Sequence, residues 1–286
     1  MSMRKIGVLH PGEMGVAVAR TAVNSGHEVY WISEGRSPET QKRAANAGLQ
    51  DAGSLARLCQ TCDAIVSVCP PEFADRVADE VAGHSFRGLY VDANAIAPDR
   101  ACRMSDRLGP AGVRFVDGCV IGLPATERGQ TWLYFSGSYA EEAAAFFTAG
   151  PLEAEVLPGP IGRASALKMC FAAHAKGLAA LRATVLAAAA ELGVAGELER
   201  QWGRSNTSHA AAVKSVQHTA PKAWRFVAEM HEIAATLESV GLPGGFHLAA
   251  AEIYGRLAPF KGVSKPELAD TLRVLSARRL RKQGGD

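Results

Sequence analysis

Residues Ile6 to Ser37 read IGVLHPGEMGVAVARTAVNSGHEVYWISEGRS. An apolar β-rich run, a glycine turn, a helix-patterned stretch and a second β-rich run succeed one another, at the scale of about 30 residues that one βαβ unit needs. Gly12 and Gly15 occupy the later positions of a GxGxxG-like turn. Context makes the reading, because the turn follows a strand and opens a helix. Gly12 would let the backbone approach a pyrophosphate and Gly15 would let the helix pack closely on the strand. The helix mouth would supply N–H groups and the positive end of its dipole. His10 stands where the first glycine is expected, followed by Pro11. The proline biases His10 towards an extended backbone, so no positive φ is required there, and Pro11 itself has no N–H to offer. A dinucleotide is therefore expected to lie along His10, Pro11, Gly12 and Gly15, with its phosphates on the amides around Glu13 and Met14.

The end of the second β-rich run chooses the dinucleotide. An NAD-binding chain usually places an acid there for the ribose 2′-hydroxyl. Here the position falls on Ser33, with Arg36 and Ser37 close behind. Two hydroxyls and a guanidinium suit a 2′-phosphate, since charge-assisted Arg–phosphate bonds are strong. NADP is the expected cofactor; NAD stays open as the alternative, because Glu34 would serve it if the strand ended one residue later.

The alternation continues along the first half. Strands are expected at KIGVLH, EVYWIS, AIVSVC, GLYVDA, VRFVDG and TWLYFSG, with helices at Glu13 to Ser25, Glu39 to Ala47 and Glu72 to Val81. Several strands are apolar on both faces, as strands covered by helices on each side must be. The expected fold class is α/β: an N-terminal Rossmann doubly wound sheet over residues 1–160.

At EVLPGPIGRASALK the texture changes. Pro158, Gly159 and Pro160 interrupt the chain and no strand pattern follows. One Ala- and Leu-rich helical stretch runs from Ile161 to Leu192 and stops at Gly193, long enough to join two domains. PKAWRFVAEMHEIAATLESVG then offers a proline start, a glycine stop and Val227, Met230, Ala234 and Leu237 on one face. Further helices are expected in PGGFHLAAAEIYGRL and SKPELADTLRVLSARRLRK, which makes residues 161–286 an all-α domain joined by the long interdomain helix.

A net charge of +2 with both signs scattered gives no basic face for nucleic acid. The basic stretch ARRLRKQGGD reads as a solvated helix end. No apolar run approaches the roughly 18 residues of a membrane span, and no secretory leader pattern opens the chain, so a cytoplasmic protein is expected. Six scattered cysteines fit reduced thiols; Cys59 and Cys62 form a CxxC, but no second pair stands at zinc spacing, and no metal is expected.

Three stretches fall where strand ends should open onto a crevice: VCPPEF, VDANAIAP and FVDGCVIGLP. The first faces the cofactor through Cys69 and Pro70. With GPIGRASALKMCFAAHAKG, these segments resemble the β-hydroxyacid dehydrogenase and 6-phosphogluconate dehydrogenase superfamily. Asp117, Gly118 and Gly122 match its DxxxxGG-like substrate loop in part. Gly159, Gly162, Ala164 and Lys168 match its GxxGxGxxxK segment with the middle glycine replaced. The second half resembles an all-α C-terminal domain of unknown function found in a subgroup of these reductases.

The resemblance implies that Lys168 is the general acid/base, exchanging a proton with the substrate hydroxyl as hydride passes to or from the nicotinamide. Where the family has asparagine a turn later, this chain has Phe171 and Ala172. His174 or Lys176 would replace that contact, and Asn94 and Ser165 are further substrate candidates. Ile121 stands where the family often has serine, which suggests a larger apolar substrate portion such as an aromatic β-hydroxy amino acid. The expected protein is an NADP-dependent dehydrogenase of a small hydroxy acid, working in a crevice between its halves. Trp202 and Trp224 beside the long helices suggest that it is a homodimer. An imine reductase and a non-catalytic NADPH-binding regulator are the alternatives.

Overall fold

The computed structural model describes residues 2–276. The elements in chain order are β1 (Lys5–Val8), α1 (Glu13–Asn24), β2 (Glu28–Trp31), α2 (Pro38–Asn46), β3 (Gln50–Asp51), α3 (Leu55–Thr61), β4 (Ala64–Ser67), α4 (Ala74–Gly83), β5 (Leu89–Asp92), α5 (Pro98–Leu108), β6 (Arg114–Ile121), β7 (Trp132–Ser136), α6 (Ala140–Ala144), β8 (Glu153–Val156), α7 (Arg163–Glu191), α8 (Ala195–Arg204), α9 (His209–Thr219), α10 (Ala223–Ser239), α11 (Gly245–Arg256) and α12 (Leu268–Ser276).

The strands form one sheet in the order β3-β2-β1-β4-β5-β6-β7-β8. β1 to β6 are parallel, β7 runs antiparallel to β6, and β8 lies parallel to β7. The order reverses between β1 and β4, which opens a crevice at the carboxyl ends of those strands, the ligand position of doubly wound sheets. Each face of the sheet buries its own apolar layer. Ile6, Val8, Val91 and Val116 meet Val16, Ala19 and Phe147 on one side. Ile65, Tyr90 and Phe115 meet Leu58, Val77 and Met104 on the other. Layers on both faces explain why these strands read as continuous apolar runs.

All six expected strands form. β3 and β8 are additions: β3 is two exposed residues, and β8 is an edge strand whose Glu153 and Glu155 break the apolar pattern. Among the described residues no strand follows β8.

Internal contacts divide the chain into two compact units, one ending at Cys170 and the other starting at Phe171, so the division falls inside α7. In the second unit α10 buries Met230, Ile233 and Ala234, and α11 buries Ala250, Ala251 and Tyr254. Phe226 meets Tyr254 edge-on at 5.4 Å between centroids. The buried face of α10 is thus centred on Ile233, and Val227 and Leu237 lie half-buried at its margins. No helix among the described residues is long and apolar enough to cross a membrane. The basic stretch from Ala277 onward lies outside the described residues.

Candidate functional site

The glycine turn is built as tightly as its sequence suggests. The Gly12 N–H donates to the His10 carbonyl at 2.8 Å, and Val16 N–H donates to the Gly12 carbonyl at 2.9 Å, which starts α1. A Cβ on Gly15 would stand 2.0 Å from the His10 carbonyl oxygen, so only glycine lets the helix close on the turn. A Cβ on Gly12 would meet nothing within 4 Å. The open space lies at the helix mouth, where first-turn amides have no intrahelical acceptor. No side chain caps α1.

Buried polar atoms beside this mouth have no protein partner. His10 Nδ1 and Arg36 Nε are both orphaned. Burial, with Arg36 and Arg76 nearby, drives the His10 imidazole down to about 4, so it is neutral at physiological pH. Arg43 adds a cation that the sequence reading missed. Its Nε donates to the Pro11 carbonyl at 3.4 Å and its Nη2 to Thr40 Oγ1 at 2.9 Å. A residue 32 positions downstream of the turn carries no local signal for such a contact.

β2 ends at Trp31, so Ser33 lies beyond it and Glu34 is an exposed turn residue. Ser33 N–H donates to Asp51 Oδ1 at 3.2 Å. Gly53 N–H donates to the same oxygen at 2.8 Å. Ser37 caps α2 by accepting from Thr40 N–H. Ser37 therefore serves as a helix cap with its O–H still able to donate, beside Arg36 and Ser33 at the same edge.

At the ends of β4 and β5 the expected substrate residue Asn94 is drawn into an internal hydrogen-bond network. Asn94 is buried, its Oδ1 accepts from Cys69 N–H at 2.6 Å, and its Nδ2 donates to Ser67 Oγ at 3.1 Å and Asp92 Oδ2 at 2.9 Å. Both N–H donors of the amide are thus turned to Ser67 and Asp92, and its oxygen accepts from Cys69. Cys69 and Pro70 remain partly exposed at this edge.

The start of α7 is fastened to β6 by Asp117. Its Oδ2 accepts from Gly162 N–H at 2.9 Å, Ala164 N–H at 3.0 Å, Ser165 N–H at 3.1 Å and Ser136 Oγ at 2.8 Å. Its Oδ1 accepts from Ser165 Oγ at 2.6 Å. A carboxylate from a neighbouring strand thus does for this helix what an N-cap side chain does elsewhere. Burial raises the Asp117 carboxyl above its ordinary value, and the Ser165 and Ser136 bonds oppose that rise. Asp117 and the fully buried Ser165 therefore hold the helix start.

Three other expected substrate residues also have a visible structural task. A Cβ on Gly118 would lie 3.1 Å from the Asp92 carbonyl oxygen, so β5 and β6 need the glycine. Gly122 has φ +131° and turns the chain between β6 and β7. Ile121 packs with Cys119 and Ala164 in a small core.

Lys168 is placed by the same arrangement. It lies one turn into α7, half-buried, and its Nζ donates to the Val120 carbonyl at 2.8 Å. β6 therefore holds the helix at Asp117 and the amine at Val120, three residues apart on one strand.

The remaining candidates belong to the second unit. His174 is exposed. Lys176 pairs with buried Glu229, lies 4.5 Å from the Phe226 ring centroid, and its carbonyl accepts from Tyr254 Oη at 2.6 Å. Its ammonium is engaged in that packing. Burial pushes the Cys59 thiol up to about 11 and the Cys62 thiol up to about 12, so the CxxC holds protonated, unreactive sulfurs. No group of three metal-ligating side chains occurs among the described residues.

Residues 5–146 match the NAD binding domain of 6-phosphogluconate dehydrogenase, and residues 189–257 match a domain of unknown function, DUF1932. An uncharacterized 28.5 kDa protein of Methanothermus fervidus is 29% identical over 171 residues, 60% of this chain and 65% of that protein. The chain thus spans just under two thirds of that relative. A conserved protein of unknown function, described as structurally similar to 3-hydroxyacid dehydrogenases, is 27% identical with a TM-score of 0.64, covering 90% of this chain and 97% of that one. Mycobacterium tuberculosis 3-hydroxyisobutyrate dehydrogenase, solved with L-serine, shares the fold at a TM-score of 0.72 and 18% identity, covering 96% and 100%.

Proposed function

This chain belongs to the 6-phosphogluconate dehydrogenase-like NAD(P)-binding superfamily, in the subgroup with a DUF1932 domain, and we propose that it is an NADP(H)-dependent oxidoreductase interconverting a small hydroxy acid and its keto form. The observation that carries the reading is Lys168, whose amine β6 holds through Asp117 and Val120.

The residues at the glycine turn fit a dinucleotide. The open space at Gly12, the first-turn amides and the orphaned Nδ1 of His10 suit a pyrophosphate, and Arg36 with Ser33 suits a ribose 2′-phosphate. Neutral His10 neither repels Arg36 nor competes with it for the anion. A bound nicotinamide dinucleotide supplies or takes up the hydride. Lys168 accepts the proton of the substrate hydroxyl during oxidation and returns it during reduction, a role worth about 10²–10⁴-fold in rate. The L-serine held by the mycobacterial relative supports a β-hydroxy amino acid among the substrates to try. A cytoplasmic homodimer completes the reading, and sedimentation of the purified protein checks its oligomeric part.

Titration with NADPH and NADH, followed by nicotinamide fluorescence, tests the cofactor. NADPH should bind more tightly, and Arg36→Ala should remove the difference. Turnover of a panel of 2- and 3-hydroxy acids, β-hydroxy amino acids and imines tests the chemistry. Lys168→Ala should lower kcat by about 10²-fold or more with little change in NADPH affinity. Turnover of imines alone, or full activity in Lys168→Ala, would overturn the reading.

A further inference from the structure

The Asp92 carboxylate is almost completely buried at the end of β5, and the described residues give it hydrogen bonds from Asn94 only: N–H to Oδ1 at 3.1 Å and Nδ2 to Oδ2 at 2.9 Å. Asn94 in turn accepts from the Cys69 N–H at 2.6 Å. Cys69 opens the turn after β4, and Val68 beside it lies 3.9 Å from where a Gly15 Cβ would stand, so the turn borders the mouth of α1. We infer that Asp92, acting through Asn94, is a positioning residue: its ionised carboxylate holds the Asn94 amide in the one orientation that gives the Cys69 N–H an acceptor, and so sets the turn beside the cofactor crevice.

The argument is one of donors and acceptors. An ionised carboxylate accepts only, so it demands the NH₂ end of Asn94 and leaves the carbonyl end for Cys69. A protonated carboxyl can donate to that carbonyl. The amide can then reverse, which sets its NH₂ against the Cys69 N–H and leaves that N–H without an acceptor. The inference rests on the proposed cofactor site for its functional meaning, but not for the switch itself.

Charged and titratable groups face Asp92 from every side. Tyr90 lies two residues back on β5, and Asp117 is its register partner on β6. Cys69 lies on the turn itself, with its thiol 3.8 Å from Ser67 Oγ, and Glu72 follows it. Arg100 of α5 pairs with Asp75 of α4 at 2.6 Å and donates to the Pro71 carbonyl at 2.8 Å, so it holds the far end of the same turn. Burial, reinforced by Asp117, pushes the Asp92 carboxyl up to about 7, against the pull of the Asn94 bonds and of Arg100. The switch therefore operates close to neutral pH.

The test follows the Cys69 amide in protein labelled with ¹⁵N-cysteine, which carries six labelled amides, with the Cys69 signal assigned through Cys69→Ser. Protection of that amide from exchange, referenced to the unstructured rate, should be constant above pH 8 and fall at least tenfold by pH 6. In Asp92→Asn, which donates at every pH, protection should be low and independent of pH. The wild-type profile decides the matter alone if that variant does not fold. Constant protection from pH 6 to 8 in the wild type overturns the inference. NADPH titrations over the same range separate it from the wider reading. Affinity that falls with Cys69 protection supports both. A pH-dependent Cys69 amide in a protein that binds no NADPH supports the switch and refutes the cofactor site.

Discussion

Replacing Gly12 and Gly15 in turn by alanine separates two jobs that one turn performs. Gly12 has φ −66° and an extended ψ, and a Cβ there would meet nothing within 4 Å. Gly12→Ala should therefore fold normally and even gain about 0.4–1 kcal/mol through a less flexible unfolded chain. The same methyl group would stand in the space assigned to a phosphate. Overpacking costs about 1–3 kcal/mol, which is roughly 5- to 150-fold in the Kd for NADPH. Gly15→Ala does the reverse. Its Cβ would sit 2.0 Å from the His10 carbonyl oxygen, and a backbone atom cannot swing aside as a side chain can. A strain of about 3 kcal/mol or more, offset by about 1 kcal/mol of helix propensity, lowers Tm by roughly 4–12 °C. Differential scanning calorimetry and fluorescence titration measure the two effects on the same samples. Wild-type affinity in Gly12→Ala would refute phosphate approach at the turn. Wild-type Tm in Gly15→Ala would refute the close contact between helix and turn.

Three further outcomes follow from the same geometry. His10 titrates near 4 in the folded chain against about 6.5 unfolded, so the unfolded state binds the extra proton between those values. Its contribution, at most about 3 kcal/mol, is complete above pH 6.5 and is lost as pH falls towards 4; His10→Gln should flatten urea-derived stability over that window. Asp117→Ala strands four buried donors, the Ala164 N–H keeping Ser136 Oγ, and should cost about 3 kcal/mol or more, with loss of turnover as Lys168 shifts, whereas Asp117→Asn should cost only about 1 kcal/mol because burial already opposes the charge. A severe loss of activity in a stable Asp117→Asn would instead mark a substrate contact. Lys176→Met leaves the buried Glu229 carboxylate without its ammonium and should cost about 3 kcal/mol, and adding Glu229→Gln should recover most of it in thermal melts.

The parallel sheet was legible because β1, β2, β4, β5 and β6 are covered on both faces and so keep apolar residues in succession. β8 escaped because an edge strand needs one apolar side only, and Glu153 and Glu155 look like loop residues. The glycine turn was legible from local constraints, since Gly15 and Pro11 act on atoms a few residues away. The internal bonds of polar residues near the crevice were not legible where the partner lies far along the chain. Asp117 meets donors 45–48 residues on, and Asn94 accepts from Cys69, 25 residues back. In sequence, a polar side chain at a strand end looks the same whether it faces a ligand or completes an internal bond. Arg43 was invisible for the opposite reason, since a basic residue on an exposed helix gives no sign that it reaches back to Pro11.

The Asp117 fastening gives α7 an asymmetry of consequence. With its root clamped at Gly162, Ala164 and Ser165 and the Lys168 amine tied to Val120, the first turns of a 29-residue helix are anchored to the sheet by their own bonds. Under the proposed role of Lys168, substitutions or insertions beyond Cys170 can then accumulate over evolution while the amine stays in register with the sheet.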